Sequence, residues 1–521
     1  MRIIVAAVLI CLPAQDDIEK LVKQLGASNF EEQGKAANAL EKLGTKALPA
    51  LEKAMKGDDA QVRDWASRIA ARIEAVMDAD MRALIQRLGS KDFAEQGRAA
   101  DEIKALGAKA VPFLEEARRH RNADISAWAD RLLREMRPKP AELGGAGGAG
   151  YGHRMGGRKA LLEAGGGSAA TEDAVLAALK WLARHQDDDG GWSAERFAKR
   201  CAGEEACRGA SHEPFDAAVT GLALLAFLGS GFTHLSKDEF PDPVDPKRTL
   251  KFGAAVERGL NALLRMQDPE GCVGERQQKY VYHHAIATAA LADAYGMTES
   301  AALKAPAQKA VDFLVAAQNP GKGWRYSTRS GDNDTSVTGW AVSALRAAEA
   351  AKLSFPKAAF DGALAWFAEV TDDMSRTGYT HKGTGKVFVP GKNEHFDHHE
   401  TMTAAAMLGR VLIKREKKED GLSFLDNDPP KWKPNKVDFV YWHYGTQAAF
   451  QVDGPGGPVW KRWNEALQDA LVPNQGQAGC ERGSWDPAQD RWGFEGGRVY
   501  ATAINALTLE TYYRHLRAAK K

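Results

Sequence analysis

The chain has 521 residues, 44% of them hydrophobic, so it is long enough for two or more domains with sizeable cores. Its 70 Lys and Arg residues nearly balance 69 Asp and Glu residues. Because such a balance creates no broad positive field, the composition argues against nucleic acid and anionic membrane surfaces as partners.

The first residues predict an export signal. A basic residue precedes an apolar run, Ile3 to Leu12, and Ala14 offers a small residue for cleavage. The run is too short to span a bilayer, so no transmembrane span is expected. We predict a signal peptide over residues 1–14 and an exported protein, periplasmic or extracellular. Lipid attachment at Cys11 and a cytosolic start with a hydrophobic first strand are the alternatives.

A duplicated helical segment is predicted over residues 16–137. The stretch "LVKQLGASNFEEQGKAA" from Leu21 matches "LIQRLGSKDFAEQGRAA" from Leu84, and Trp65 corresponds to Trp128 at the same offset of 63 residues. Apolar residues at intervals of three and four, with glycine between the runs, predict short antiparallel helices. The segment resembles HEAT-type repeats. That resemblance implies a helical solenoid that docks a protein partner.

Glycine dominates the next stretch, "PKPAELGGAGGAGYGHRMGGRKALLEAGGGSAA", at residues 138–170. Such a composition cannot offset the entropy lost on ordering. We therefore predict a flexible linker and a domain boundary there.

A second repeat begins near residue 171. Apolar helices end in a glutamine followed by a glycine-containing turn, in three cases with a tryptophan, which is typical of a helix C-terminus covered by an aromatic ring. The turns carry Gln186 and Trp192, Gln267, Gln318 and Trp324, and Gln475 and Trp485. Between them lie helices of small residues that align on a threonine, namely Thr220, Thr288, Thr338, Thr403, Thr446 and Thr502. Six helical hairpins closed into a ring, with the small-residue helices inside, are the predicted all-α architecture.

This segment, residues 171–516, resembles a known group of proteins. The glutamine-to-tryptophan turns are similar to those of squalene and hopene cyclases. "GWRYSTRSGDNDTSVTGWAVSAL" and "FVYWHYGTQAAFQ" resemble exported squalene-cyclase-repeat proteins of planctomycete-like bacteria. The resemblance implies the α/α toroid that these cyclases share with protein prenyltransferase β-subunits.

The same resemblance does not extend to the catalytic motifs. Class II terpene cyclases protonate an alkene with the middle aspartate of a D-x-D-D-T pattern, and alignment on Thr335 places Asn333 at that position. An amide cannot deliver the proton. Asp334 instead precedes a helix as an N-cap, whose bonds from backbone N–H groups favour the ionised carboxylate. Prenyltransferases need a zinc site of aspartate, cysteine and histidine that this stretch lacks, so no cofactor and no metal are expected.

A polar ring is nevertheless a candidate pocket. If the aligned threonines face the axis, the residues four positions earlier share that face. This ring comprises Asp216, His284, Asp334, His399, Trp442 and Arg498. The candidate pocket lining comprises Thr220, Thr288, Thr338, Thr403, Tyr444, Tyr500 and Thr502. Helix capping and backbone hydrogen bonds are the alternative roles of these side chains, and a metal site is a third.

The four cysteines beyond the export signal are disulfide candidates in an oxidising compartment. Cys201 and Cys207 share one polar loop, and we predict a bridge between them rather than a zinc site. The pairing of Cys272 and Cys480 stays open.

These features favour an exported binding or scaffolding protein whose toroid pocket holds a small or lipid-like ligand. The alternative is an enzyme, either a diverged terpenoid cyclase or transferase or a metal-dependent activity at the Asp/His ring.

Overall fold

The computed structural model describes residues 15–136 and 151–514, apart from residues 28, 58, 91, 119, 156–157, 202–205, 385–386 and 415–420. The predicted signal peptide, residues 1–14, lies outside this described part. The chain divides into two compact units, Met1–Lys139 and Pro140–Lys521. Among the described residues, no helix is both long and apolar enough to cross a membrane.

The first unit is a duplicated set of helices. Its α-helices are α1 (Gln15–Gln24), α2 (Phe30–Leu43), α3 (Leu48–Ala54), α4 (Ala60–Arg87), α5 (Phe93–Ala105), α6 (Val111–Ala117) and α7 (Ala123–Met136), with 3-10 turns at Gly44–Lys46 and Gly107–Ala110. The starts of α2 and α5, of α3 and α6, and of α4 and α7 are each separated by the offset of the sequence repeat. Assignment of the unit to the HEAT type stays a prediction.

The second unit is an all-helical ring. Its outer helices are α10 (Ala169–Arg184), α12 (Phe252–Met266), α14 (Ala301–Ala317), α16 (Ala358–Glu369), α18 (Leu422–Asn427) and α20 (Pro458–Leu471). The inner helices that follow them are α11 (Asp216–Gly229), α13 (Tyr280–Thr298), α15 (Thr335–Ala350), α17 (Thr401–Lys414), α19 (Phe439–Val452) and α21 (Gly493–Leu509). Short elements complete the unit: α8 (Gly152–Met155), α9 (Arg158–Gly165), α22 (Thr511–Arg514), 3-10 turns at Phe197–Arg200 and Pro487–Gln489, and an antiparallel pair, β1 (Glu239–Pro241) and β2 (Thr249–Lys251).

The inner helices close into a ring because each contacts the next and α11 also contacts α21. Small residues permit this approach. A Cβ atom at Gly221 of α11 would lie 3.1 Å from the backbone of Ala287 in α13. The predicted α/α toroid of helical hairpins is therefore the fold of this unit.

The glutamine turns join neighbouring hairpins. The side-chain amide of Gln186 donates to the carbonyl of Gly190 in its own turn and to that of Ala255 in the next outer helix, both at 2.7 Å. Gln475, in the last turn, donates to Gly483 O at 2.9 Å and to Ala174 O of α10 at 2.8 Å. Since α10 is the first outer helix, Gln475 closes the ring.

The predicted linker extends too far. Residues 152–155 form α8 and residues 158–165 form α9, both within the second unit. Arg154 of α8 is buried and pairs with buried Asp293 of α13 at 2.9 Å, while Leu162 of α9 joins the core. The linker prediction rested on glycine content and therefore missed these buried side chains, which anchor α8 and α9 in the second unit. Residues 137–150, which include the start of the predicted linker, lie outside the described part.

Candidate functional site

A cavity of about 350 Å³ lies among the inner helices of the toroid. Its floor is apolar because Leu222, Ile286, Trp340 and Ile504 border it from four different helices. The volume is at the lower end of the range of small-molecule sites.

The residues that face the cavity follow a simple register. Several cavity residues of the inner helices lie two positions before or after the aligned threonine, as Ala218 and Leu222 do around Thr220, and Tyr500 and Ile504 do around Thr502. Two residues correspond to about 200° of rotation on an α-helix. The threonines therefore face away from the cavity, and the assumption that they face the axis is wrong.

The threonines instead hold the turns of the outer layer. Thr220 Oγ1 accepts the backbone N–H of Trp192 at 2.9 Å, and Thr338 Oγ1 accepts that of Trp324 at 3.1 Å. Thr403 and Thr288 are also bonded locally: Thr403 Oγ1 accepts from Thr377 N at 3.0 Å, and Thr288 Oγ1 donates to His284 O at 2.7 Å. Thr502 Oγ1 and Tyr444 Oη are buried without a hydrogen-bond partner in the described part of the chain. Of the predicted lining, Tyr500 borders the cavity.

The predicted polar ring does not assemble either. Asp216 accepts from Ala194 N at 3.1 Å and pairs with Arg196 at 2.9 Å, away from the cavity. His284 accepts from Val273 N at 3.0 Å and donates to Ala310 O at 2.9 Å. Trp442 packs in the core against Trp432 and Phe439. Within the described residues, the ring's Asp and His side chains form no metal-holding group.

His399 is the ring member that borders the cavity. Its Nδ1 lies 2.6 Å from Asp428 Oδ2, its Nε2 is 3.1 Å from Lys436 O, and its ring stacks on Tyr441. Burial opposes the charged form, but the hydrogen bond to Asp428 raises the pKa of His399 above its ordinary value. Because both nitrogens are engaged by protein groups, His399 is held in place as part of the wall.

Asp334 is the N-cap that the sequence predicts, since its carboxylate accepts from Val337 N at 2.7 Å and from Ser336 Oγ at 2.8 Å. These hydrogen bonds favour the ionised form, as the sequence predicts, but they are not the largest effect on the carboxylate. Burial raises the pKa of Asp334 to about 6 and outweighs these hydrogen bonds. Its carboxylate does not border the cavity. Tyr379 Oη separates them and donates to Asp334 Oδ2 at 3.3 Å.

The polar groups that do border the cavity are mostly neutral. Tyr379 Oη and Tyr326 Oη lie 2.5 Å apart, and Trp340 Nε1 donates to Tyr282 Oη at 3.1 Å. Burial and the charge of Lys279 lower the pKa of His283 to about 4. At neutral pH this histidine is uncharged. Of these residues Trp340 alone lies at the two-residue offset from an aligned threonine, whereas Tyr326 and Tyr379 lie in connections between helices, where no such signal exists.

The charged groups at the cavity are already paired. Lys279 Nζ lies 2.6 Å from Glu495 Oε1. Arg491 donates to the carbonyls of Asp397 and Val387, and its Nε lies 4.0 Å from Asp438 Oδ2. Because Lys279 and Arg491 already have protein partners, neither needs an ionic ligand to balance its charge.

Arg498, the last member of the predicted ring, lies between two loops instead. Gly497 before it has a φ of 65°, which interrupts α21 and redirects the chain. Arg498 donates to Arg208 O at 2.7 Å and Ser484 Oγ at 3.0 Å, and pairs with Glu481 at 2.8 Å. It therefore holds the loops that carry Cys207 and Cys480.

The predicted Cys201–Cys207 disulfide is not formed, and both residues are free thiols in the structure. Their sulfurs instead converge with that of Cys480 on the ring of buried His185. Cys272 lies outside this group and is also a free thiol. Sequence spacing could not reveal the cluster, because His185 and Cys480 are 295 residues apart.

The chain is similar to several solved structures. No protein-family model and no curated protein matches the chain. Among solved structures, an alpha-amylase from Clostridium perfringens is 10% identical, with a TM-score of 0.42, over 66% of this chain and 98% of its own. An alpha-1,6-mannanase from Salegentibacter sp. HEL1_6 has the same identity, TM-score and coverage. The type II terpene cyclase MstE from Scytonema is 12% identical, with a TM-score of 0.40, over 66% of this chain and 98% of its own.

Proposed function

We propose that the toroid binds a neutral, predominantly apolar small molecule of the lipid-like class. The observation that carries this proposal is the composition of the cavity wall. Leu222, Ile286, Trp340 and Ile504 border it, and hydroxyl groups reach it from tyrosines, namely half-buried Tyr282, Tyr326 and Tyr379 and buried Tyr500. Apolar surface binds apolar ligands by removing both from water, and a few hydroxyls fix their orientation.

The electrostatics favour a neutral ligand. His283 is uncharged at neutral pH, and the cations Lys279 and Arg491 are engaged by protein partners. An anionic head group would have to displace one of these contacts. A hydroxyl group needs only to donate a hydrogen bond to a tyrosine oxygen such as that of Tyr326, whose own O–H is directed at Tyr379.

A second candidate, proton transfer to the bound ligand, rests on one specific contact chain. Asp334, with its pKa near 6, is linked through Tyr379 to Tyr326, and both tyrosines border the cavity. A buried acid with such a pKa suits general acid chemistry. Binding is favoured because the carboxylate itself lies behind Tyr379.

The remaining proposals concern the rest of the chain. We propose that the protein is exported and that the first unit, residues 16–137, docks a protein partner as HEAT-type repeats do. We also propose that the second unit is related to squalene-cyclase-repeat proteins. The glutamine turns, such as that of Gln186, support this proposal.

Equilibrium binding of three probes tests the cavity proposal. Geranylgeraniol and squalene are neutral, geranylgeranyl diphosphate is anionic, and binding is followed by tryptophan fluorescence because Trp340 and Trp492 border the cavity. We expect saturable binding of at least one neutral probe, at least tenfold tighter than that of the diphosphate. Ala218→Phe, which fills the cavity, should abolish it. Ala301→Phe makes the same change at an exposed position and should not.

Two results would contradict the proposal. The first is the absence of saturable binding of either neutral probe, and the second is equal binding by the Ala218→Phe variant. Product analysis of the same mixtures addresses the second candidate. Turnover by the natural chain that is lost in Asp334→Asn would favour proton transfer, and unchanged probe would favour binding alone.

A further inference from the structure

Three cysteines and one histidine converge at the junction of the first and last hairpins of the toroid. His185 follows α10, Cys201 and Cys207 belong to the connection from α10 to α11, and Cys480 belongs to the connection from α20 to α21. Their ligand atoms all lie within 4.8 Å of one another. His185, Cys207 and Cys480 are buried, and Cys201 is half-buried.

We propose that His185, Cys201, Cys207 and Cys480 form a structural zinc site that closes the toroid. Three thiolates and one imidazole are a donor set that tetrahedral zinc prefers in structural sites. With four protein ligands the site is closed, so it has no open position for a substrate or a catalytic water.

The distances fit a tetrahedral ion. Zn–S bonds of about 2.3 Å and a Zn–N bond of about 2.0 Å place nitrogen and sulfur about 3.5 Å apart across a tetrahedron. The Nε2 atom of His185 lies 3.5 Å from Cys201 Sγ, 3.5 Å from Cys207 Sγ and 3.3 Å from Cys480 Sγ. A disulfide would instead require two sulfurs at about 2.05 Å.

The histidine is oriented for this role. Its Nδ1 lies 2.8 Å from Trp181 O, and a carbonyl oxygen only accepts, so Nδ1 carries the proton. The lone pair of Nε2 therefore points at the sulfurs. Its ring also stacks on Trp181 with centroids 4.1 Å apart. Such a second contact, which fixes the tautomer and the ring plane, is usual for zinc-binding histidines.

The loops that carry the sulfurs are cross-linked by further contacts. Cys207 N donates to Cys201 Sγ at 3.1 Å. Arg208 N donates to Glu481 Oε1 at 3.1 Å, and Arg498 joins the same two loops. These bonds hold Cys207 and Cys480 together although they lie at opposite ends of the ring's sequence.

Zinc binding has a defined proton balance. The three thiols lose their protons to solvent, neutral His185 loses none, and the filled site carries a net charge of −1. Buried Arg184 lies next to the cluster, where its charge acts on Cys207 and Cys480. The guanidinium also contacts Asp242 at 3.6 Å, which offsets part of this charge. No oxidant or reductant is needed.

Elemental analysis of the full chain, purified without added metal or reductant, tests the proposal. We expect about one zinc per chain in the natural protein. Cys480→Ser should lose it, whereas Cys272→Ser, which removes a buried thiol outside the cluster, should retain it. If Cys480→Ser fails to fold, cobalt replaces zinc in the natural chain, and thiolate-to-cobalt charge-transfer absorption is the expected result.

Three results would overturn the zinc site. One is a chain without zinc whose reduced form also takes up no cobalt. Another is full zinc content in a folded Cys480→Ser variant. The third is a Cys201–Cys207 disulfide, detected by peptide mapping without reductant in the natural protein. A site filled with zinc predicts that denaturation with chelator, but no reductant, releases the thiols of Cys201, Cys207 and Cys480 together.

Discussion

The substitution Asp334→Asn is expected to flatten the pH dependence of the toroid's stability. In the folded chain, burial raises the pKa of Asp334 from the ordinary 3.8 to about 6. Between these two values the folded state holds a proton that the unfolded state has lost. The contribution of Asp334 to stability is therefore fully present below about pH 4 and is lost as pH rises through about 6.

The expected magnitude follows from the shift. A change of about two pKa units corresponds to about 3 kcal/mol, since each unit is about 1.4 kcal/mol. Asparagine caps a helix about as well as aspartate, so the variant keeps the bond from Val337 N. Stability of the natural chain relative to Asp334→Asn should thus fall by about 2.4 kcal/mol of this total between pH 4 and pH 7, since the unfolded carboxyl is already partly ionised at pH 4.

Urea unfolding followed by tryptophan fluorescence measures this difference. Most of the 13 tryptophans lie in the toroid, and only Trp65 and Trp128 lie in the first unit. Asp92→Asn, the same chemical change at the N-cap of α5, is the control for capping. If the natural chain and Asp334→Asn show parallel stability profiles over this pH range, the burial argument for Asp334 is wrong.

Two further predictions concern the contacts that close the second unit. Arg154→Met should lower the free energy of unfolding by about 3 kcal/mol, because buried Asp293 loses its 2.9 Å ion pair and keeps the longer contact to Arg514 at 3.6 Å. The double variant with Arg154→Met and Asp293→Leu should regain most of the lost free energy of unfolding. If the single and the double variant are equally destabilised, the ion-pair argument is wrong. Gln475→Leu should cost about 1 kcal/mol or more, because the buried carbonyls of Ala174 and Gly483 lose the side-chain amide that donates to both. An unchanged urea midpoint for Gln475→Leu would show that this closure contact is unimportant.

The ring architecture could be predicted from the sequence because its signals are local. Each glutamine turn, such as that of Gln186, combines a helix end, a glycine and a fixed partner in the next outer helix. Because this combination recurs along the sequence, it predicts one helical hairpin for each repeat.

The cavity was harder to predict because it depends on which face of each inner helix points inward. Alignment on the threonines identified equivalent positions of the inner helices. However, Thr220 and Thr338 face the turns of the outer layer, where their Oγ1 atoms accept from Trp192 N and Trp324 N. A side chain two residues away lies on the opposite face of the helix. That rotation placed the polar ring, apart from His399, outside the cavity and left Tyr282, Tyr326 and Tyr379 unnoticed.

The cysteine cluster was beyond sequence reasoning for a different reason. The near spacing of Cys201 and Cys207 suggested a local bridge, while their partners His185 and Cys480 meet only when the ring closes. Contacts between the first and last repeats carry no short-range signal.

A crystal structure of the full chain grown with geranylgeraniol tests the central claim, ligand binding within the toroid, most directly. We predict difference density for one probe molecule inside the cavity, with its chain against Leu222, Ile286 and Trp340 and its hydroxyl group near Tyr326. Density for the probe elsewhere, or a cavity filled by the protein's own side chains at saturating probe, would contradict the account.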